Sequence, residues 1–425
     1  MMQHPLFQEN WRGRRVLMLQ GPVGPFFSRA SKWLRAQGAT TRKLNFNGGD
    51  VAFFPTGRLF TKGIAKLEGT LRNMMADGAV TDIWLFGDCR PIHQVAVAVA
   101  KALGVQVWVF EEGYFRPAFI TCERGGVNGN SSLKPSVGAY KSWPRWESEH
   151  MITPTHKRTY QAMALQAFAY WFMAALLWPL FPSYHHHRSL NILAEGMRWI
   201  RGYWRKLHFQ RRERGLQDQL ASAHSGKFVL VPLQVHNDAQ VTQHSEFPDV
   251  RVFISETLHT FAAHAPRDHV LAFKHHPMDR AYREYGPWIT QQAQHLGVAE
   301  RVCVLHDQHL PTLLDHAAGA VVINSTVGLS AIHQGVATHV MGTAFYDFQG
   351  LTHQGTLADF MRSPRTFKPD ADLYLRFRHA VISTTQINES FYKSIGGLKS
   401  KQIPNEKHSS IEISNLISNR IGTKV

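Results

Sequence analysis

Short apolar runs alternate with helical periodicity along the first quarter of the chain. Residues 15–20, 41–46, 82–86 and 105–110 read as buried strands, and 27–37 and 91–103 as helices between them. Gly38 and Gly104 follow the two helices, and Pro91 starts the second, which are ordinary stop and start signals. Near-continuous apolar strands with interleaved helices predict a parallel, doubly wound sheet. A second block repeats the pattern. Strands are expected at 228–233, 270–274, 302–305 and 320–323, and helices at 252–264, 285–296, 310–317 and 327–334.

The stretch between the blocks behaves differently. From 121 to about 158 the chain is rich in Gly, Asn, Ser, Pro and Trp, a loop-rich excursion. Residues 162–181 hold 20 positions with Gln166 as the only strongly polar one. That length just suffices to cross a bilayer, while Pro179 and the aromatic residues suit an interfacial or buried helix equally. Beyond it, Leu193, Met197, Ile200, Trp204 and Leu207 step by four, three, four and three, forming one helical face. The division read from these shifts is a first Rossmann-like domain at 1–120, a loop-rich and helical linker at 121–222, a second Rossmann-like domain at 223–387, and a polar tail at 388–425. The fold class expected is α/β, with two Rossmann-like domains facing a central crevice and a basic helical insert between them.

Charge changes this picture by asking for a partner. The 425 residues carry 47 Lys and Arg against 31 Asp and Glu, a net +16. Nucleic acid, an anionic membrane surface and a phosphorylated substrate are the candidates. Eight of those cations lie within 188–214, interleaved with Trp199 and Trp204. Arg198, Trp199, Arg201, Trp204 and Arg205 are therefore the expected contacts to an anionic lipid surface, the plain alternative being a solvated helix packed on the body. Three cysteines, Cys89, Cys122 and Cys303, are too few and scattered for a disulfide framework. The first residues make a poor signal peptide, because the apolar run at 16–19 is too short. A cytoplasmic protein, peripheral on the inner face of the membrane, is the expectation.

In doubly wound sheets ligands bind beyond the carboxyl ends of the strands. After the strand at 105–110 come Glu111 and Glu112, two adjacent carboxylates able to raise one another's pKa for proton transfer, or simply a solvated turn. After 228–233 comes Asp238, a nucleophile toward an anomeric carbon or an N-cap. After 270–274 come Lys274, His275, His276 and Pro277, fit to bind phosphate. Adjacent histidines in an extended segment face opposite ways and make a poor zinc pair, so no metal is expected there or at His185-His186-His187. After 320–323 come Asn324, Ser325 and Thr326 at a helix start, an anion site or a cap. The loop at Gly21-Pro22-Val23-Gly24-Pro25 lacks GxGxxG, and no Walker A sequence occurs.

The segments FEEGYFRP (110–117), VPLQVHND (231–238), KHHP (274–277), NSTVGLSAIHQG (324–335) and MGTAFYDFQGLT (341–352) together resemble the bacterial capsule polysaccharide β-Kdo transferases of the KpsS and KpsC type. The resemblance runs from about 14 to 360 and implies a GT-B fold, CMP-Kdo as donor, and retaining transfer of β-Kdo to a phosphatidylglycerol-type lipid. It implies that His276 and Pro277 hold the CMP part and that Ser325 and Thr326 bind its phosphate; Lys274 and Asn324 are expected to complete the CMP-sugar site, and Gln234 and Arg116 to serve the acceptor or substrate. Asp238 falls where the family's proposed nucleophile lies, and Glu111 or Glu112 where its acid/base does. A donor with one phosphate requires no metal or other cofactor. Other capsule biosynthesis and export proteins are expected partners. Nucleic acid is not, since crevice carboxylates repel phosphates. The alternatives are a transferase for another CMP-sugar, sialyltransferase-like, and a non-catalytic capsule assembly or export protein.

Overall fold

The computed structural model describes residues 4–147, 159–184, 192–394, 396 and 398. The His185-His186-His187 segment and the side chain of Leu193 lie outside the described residues.

Two sheets carry the fold. The first contains β1 (Arg15–Met18), β2 (Thr40–Asn45), β3 (Arg58–Leu59), β4 (Asp82–Phe86), β5 (Gln106–Glu112) and β6 (Ile120–Arg124). The second contains β7 (Phe228–Pro232), β8 (Val270–Lys274), β9 (Val302–Leu305), β10 (Gly319–Val322) and β11 (Thr338–Val340). A last strand, β12 (Gln386–Ile387), returns to the first sheet. The order β3-β2-β1-β4-β5 in the first sheet is matched by β9-β8-β7-β10-β11 in the second, and all of these neighbours run parallel. Each is the Rossmann order, with its switch point where the winding reverses: between β1 and β4, and between β7 and β10. Both expected Rossmann-like units are present, and together they give the GT-B arrangement.

The central strands are buried on both faces, which is why their sequences are continuous apolar runs rather than alternating ones. All five residues of β7 and all five of β8 are buried. The covering helices bury one stripe each. Phe26, Phe27, Ala30 and Leu34 of the helix Phe26–Ala36 sit on the first sheet. Phe253, Ile254, Leu258 and Phe261 of the helix Val250–His264 sit on the second.

The ends of the first unit differ from the expected boundaries. β6 pairs antiparallel with β5, and β12 antiparallel with β6, so this sheet runs past residue 120 and takes in 386–387. The start of the expected tail is also core. Phe391 packs edge-on against Phe26 at 5.0 Å and Phe86 at 5.3 Å, and the Tyr392 hydroxyl donates to Glu112 Oε1 at 2.9 Å. The helix Ala371–Thr385 brings the chain back, capped by Asp370, which accepts from the Leu373 N–H at 3.0 Å. Two-residue β12 is too short to carry a periodic signal.

The insert holds two long helices, Thr159–Leu176 and Ile192–Arg212. Gly48 and Gly49 let the first approach: a Cβ on either would strike the Met173 backbone or the Tyr170 ring. The Tyr170 hydroxyl accepts from Asn47 Nδ2 at 2.8 Å. Leu165, Phe168, Phe172 and Leu176, stepping by three, four and four, face outward, with Phe168 65% exposed. Among the described residues no helix is long and apolar enough to cross a membrane.

In the second helix Met197, Ile200 and Trp204 are likewise exposed, Trp204 at 63%, and so is Trp199. The arginines on the neighbouring face do something other than expected. Arg205 Nη1 donates to the Arg280 carbonyl at 2.9 Å, Arg201 donates to the Ala281 carbonyl, and Arg198 lies over the Tyr282 ring at 5.5 Å. Positions 198, 201 and 205 form one face, and the carbonyls ending the short turn Pro277–Ala281 engage the guanidinium groups of Arg201 and Arg205. Of the five expected lipid contacts, Trp199 and Trp204 are exposed, Arg201 is exposed but hydrogen-bonded to the body, and Arg198 and Arg205 are half-buried.

Candidate active site

The carboxyl ends of both sheets open on one cavity of about 550 Å3. Glu111, Glu112 and Arg116 line it from the first unit, and Gln234, Asp238, Lys274, His276, Pro277, Asn324, Ser325 and Thr326 from the second. β7 and β8 align with Pro232 opposite Lys274, so their two loops leave the sheet at the same level.

At the second switch point Gln234 bridges the loops. Its Nε2 donates to Asn324 Oδ1 at 3.0 Å and to Asp238 Oδ2 at 3.2 Å. Asp238 Oδ1 accepts from the Gln240 N–H at 2.9 Å and caps the helix Ala239–Gln243. The cap reading of Asp238 is therefore correct as geometry, and the same residue lines the cavity. A carboxylate fixed through both oxygens is held in one orientation, as a displacement at carbon requires.

Asp279 is a residue the sequence reading passed over. It is fully buried, accepts from the His236 N–H at 2.7 Å, and its other oxygen meets His236 Nδ1. It thereby ties the Gln234–Asp238 loop to the segment after β8. Its signal was a lone acid two residues after the His-Pro pair.

His275 and His276 both belong to the cavity lining, and the His275 ring stacks on His306 at 5.0 Å. His276 Nδ1 accepts from the Met278 N–H at 3.1 Å, which leaves Nε2–H as its free donor. Burial lowers its pKa, so the ring is neutral. The Lys274 ammonium donates to the His306 carbonyl at 3.2 Å, and burial lowers its pKa despite Asp307 and Glu213 nearby. Lys274 thus lines the cavity while its charge is engaged with the β9 end.

Ser325 Oγ caps the following helix, accepting from the Val327 N–H at 3.2 Å, and Thr326 makes no side-chain cap bond. The Tyr346 hydroxyl donates to the Ser325 carbonyl at 2.5 Å. The same ring lies against Gly328, where a Cβ would come within 2.5 Å of the hydroxyl oxygen. The 324–335 and 341–352 segments are therefore one device, the second bracing the turn of the first. Gly328→Ala should cost about 1–3 kcal/mol by overpacking. In thermal unfolding the Tyr346→Phe background should recover part of that loss; strictly additive losses would show that the ring does not brace the turn.

On the opposite wall Glu111 and Glu112 end β5 rather than follow it. Glu111 Oε1 accepts from the Glu112 N–H at 2.9 Å. Burial, aided by the Glu112 charge, raises the Glu111 pKa to about 7. Glu112 is committed to Tyr392 instead. The two acids are thus distinguished by their surroundings, and Glu111 is the one poised to exchange a proton near neutrality.

The loop after β4 supplies more of this wall. Gly87 adopts a left-handed φ of 71°, and a Cβ there would stand 3.2 Å from Glu111 Oε2. Arg90 donates to Gln20 Oε1 at 3.0 Å and stacks on Phe86 at 5.0 Å. Applying the strand-end rule to β4 would have found both. Cys89 also lines the cavity, but burial and the adjacent Asp88 push its thiol up to about 12, so it is no nucleophile.

Comparison with known proteins adds an independent line. Residues 81–392 match the family described as capsule polysaccharide biosynthesis protein. The chain is 39% identical over 392 residues to the capsule polysaccharide export protein KpsS of Escherichia coli, covering 89% of this chain and 97% of that one. It is 36% identical over 387 residues to the capsule polysaccharide modification protein LipB of Neisseria meningitidis serogroup A, covering 89% and 92%. Among solved structures, a β-Kdo 2,7 transferase unit of Thermosulfurimonas dismutans KpsC aligns over 85% of this chain and 89% of that one, at 13% identity and a TM-score of 0.39.

Proposed function

The chain belongs to the capsule polysaccharide biosynthesis protein family, and from that premise we propose that it is a retaining glycosyltransferase that moves β-Kdo from CMP-Kdo to a phosphatidylglycerol-type lipid. The observation carrying this reading is that two carboxylates of different character, Asp238 and Glu111, line one cavity from opposite sheets. Retaining transfer needs a carboxylate to take the sugar and a second group to accept the proton of the incoming hydroxyl. Asp238 is the nucleophile and Glu111 the base.

The neutral His276, Asn324 and the hydroxyls of Ser325 and Thr326 receive the CMP leaving group through hydrogen bonds. The single phosphate of that donor needs no metal counter-charge. Arg116 and Arg90, on the Glu111 wall, meet the acceptor's phosphate. Lipid access follows from the insert. Its outward stripes at Leu165, Phe168, Phe172 and Leu176, and at Met197, Ile200 and Trp204, set apolar surface beside a strongly basic segment, the composition that settles in an anionic bilayer surface. The protein then works peripherally on the inner face of the membrane, alongside other capsule biosynthesis and export proteins.

The test is incubation with CMP-Kdo and lyso-phosphatidylglycerol, followed by mass analysis of the lipid. A Kdo-bearing lipid with CMP release is expected, and phosphatidylglycerol vesicles should carry the protein on flotation. Preferential use of CMP-sialic acid would move the assignment to another CMP-sugar, and salt-sensitive binding with no turnover of either donor would overturn it.

A further inference from the structure

At the cavity wall, His275 is 1% exposed, and its ring lies 5.0 Å from that of His306 and 5.5 Å from that of Tyr285. It meets His306, which follows β9, and Glu284, just before the helix Gly286–His295. One potential ligand atom from each of these three residues lies within 4.8 Å of the other two. His275 Nε2 and Glu284 Oε2 are buried and have no hydrogen-bond partner among the described residues. Two such orphaned atoms in one cluster are costly unless something binds them.

The tautomer of His275 favours a cation. His275 Nδ1 lies 3.1 Å from the His276 carbonyl and donates its proton there, which leaves the lone pair on Nε2. His306 Nδ1 lies 2.5 Å from Glu213 Oε1, and its Nε2 points to Glu284 Oε1 at 3.3 Å. A carboxylate behind the far nitrogen of a histidine is the usual outer support of a metal ligand. Phe209 stacks on the His306 ring at 3.5 Å and shields the cluster.

We propose that His275, Glu284 and His306 hold a divalent transition metal, with Zn2+ the best match to two imidazoles and one carboxylate. Bonds of about 2.1 Å place tetrahedral ligand atoms about 3.4 Å apart, close to the 3.3 Å already separating His306 and Glu284. The role is structural. The metal joins the ends of β8 and β9, through Glu213 reaches the end of the insert helix, and so fixes the loop that carries His276. It takes no part in the transfer reaction, and the proposal stands whichever donor is used.

The experiment uses the full chain without a polyhistidine tag, stripped with a chelator and dialysed against Zn2+. Mass spectrometry should find about one tightly held zinc per chain, lost in His275→Gln and His306→Gln and kept in His259→Gln, an exposed histidine. Zinc at 100-fold excess over its Kd should raise the Tm of the stripped wild-type chain by roughly 3 °C. That rise should vanish in Glu284→Gln. A wild-type chain that retains no zinc and shows no zinc-dependent Tm shift would overturn the proposal, leaving His306 as an imidazolium between Glu213 and Glu284. Retention of zinc by His275→Gln at the wild-type level would overturn it too.

Discussion

Asp238→Asn should lower kcat by at least about 10^3-fold while leaving the fold and donor binding in place. The choice of Asn separates the two things Asp238 does. As a cap it accepts from the Gln240 N–H, and Asn caps a helix as well as Asp. As a nucleophile it needs a carboxylate, and the Asn amide does not attack an anomeric carbon at a useful rate. Asp238→Ala removes both roles and should add a stability loss of about 1 kcal/mol, the usual cost of a missing cap. Steady-state release of CMP, thermal unfolding and CMP titration on the three proteins resolve the matter. A Asn variant that keeps turnover within about tenfold of wild type would reduce Asp238 to a cap and leave retention without its nucleophile.

The parts of this site that were legible in the sequence are those set by strand ends. Two parallel sheets were visible because strands buried on both faces are written as unbroken apolar runs, and once the strands were placed, the crevice rule located Glu111, Asp238, His276 and Ser325. What stayed hidden depends on pairing across the chain. β6 runs antiparallel at a sheet edge, and β12 owes its place to Thr121 and Ile120, more than 260 residues upstream. Asp279 and Tyr346 act through loops that only the fold brings near. The insert helix was read correctly in its periodicity, but the engagement of its arginines with the body was not legible. Helical spacing defines a stripe, but not the carbonyls of Arg280 and Ala281 that engage it. His275 shows the same limit. No local pattern disclosed that it meets His306, just past the end of the neighbouring strand.

Glu111→Gln should abolish the acid limb of the pH–rate profile. In the wild-type enzyme a base with a pKa of about 7 must be ionised to take the acceptor proton, so kcat/KM should rise with pH and level off above about 7. Gln cannot take that proton. Its rate should fall by about 10^2–10^4-fold at pH 8 and become flat across the same range. If sugar transfer to Asp238 precedes acceptor attack, this variant should also release CMP in a burst and retain the sugar on the protein, visible as a heavier intact mass. Stability supplies a readout of opposite sign. Because the folded pKa lies above the ordinary value of 4.5, the fold favours the protonated form. That contribution is fully present below about pH 4.5 and is lost as pH rises through about 7. Glu111→Gln imitates the protonated state, so at pH 8 the slow variant should unfold no earlier than wild type. Glu112→Gln, which preserves an acceptor for Tyr392, should keep the acid limb. Loss of the limb in Glu112→Gln with its persistence in Glu111→Gln would exchange the two assignments.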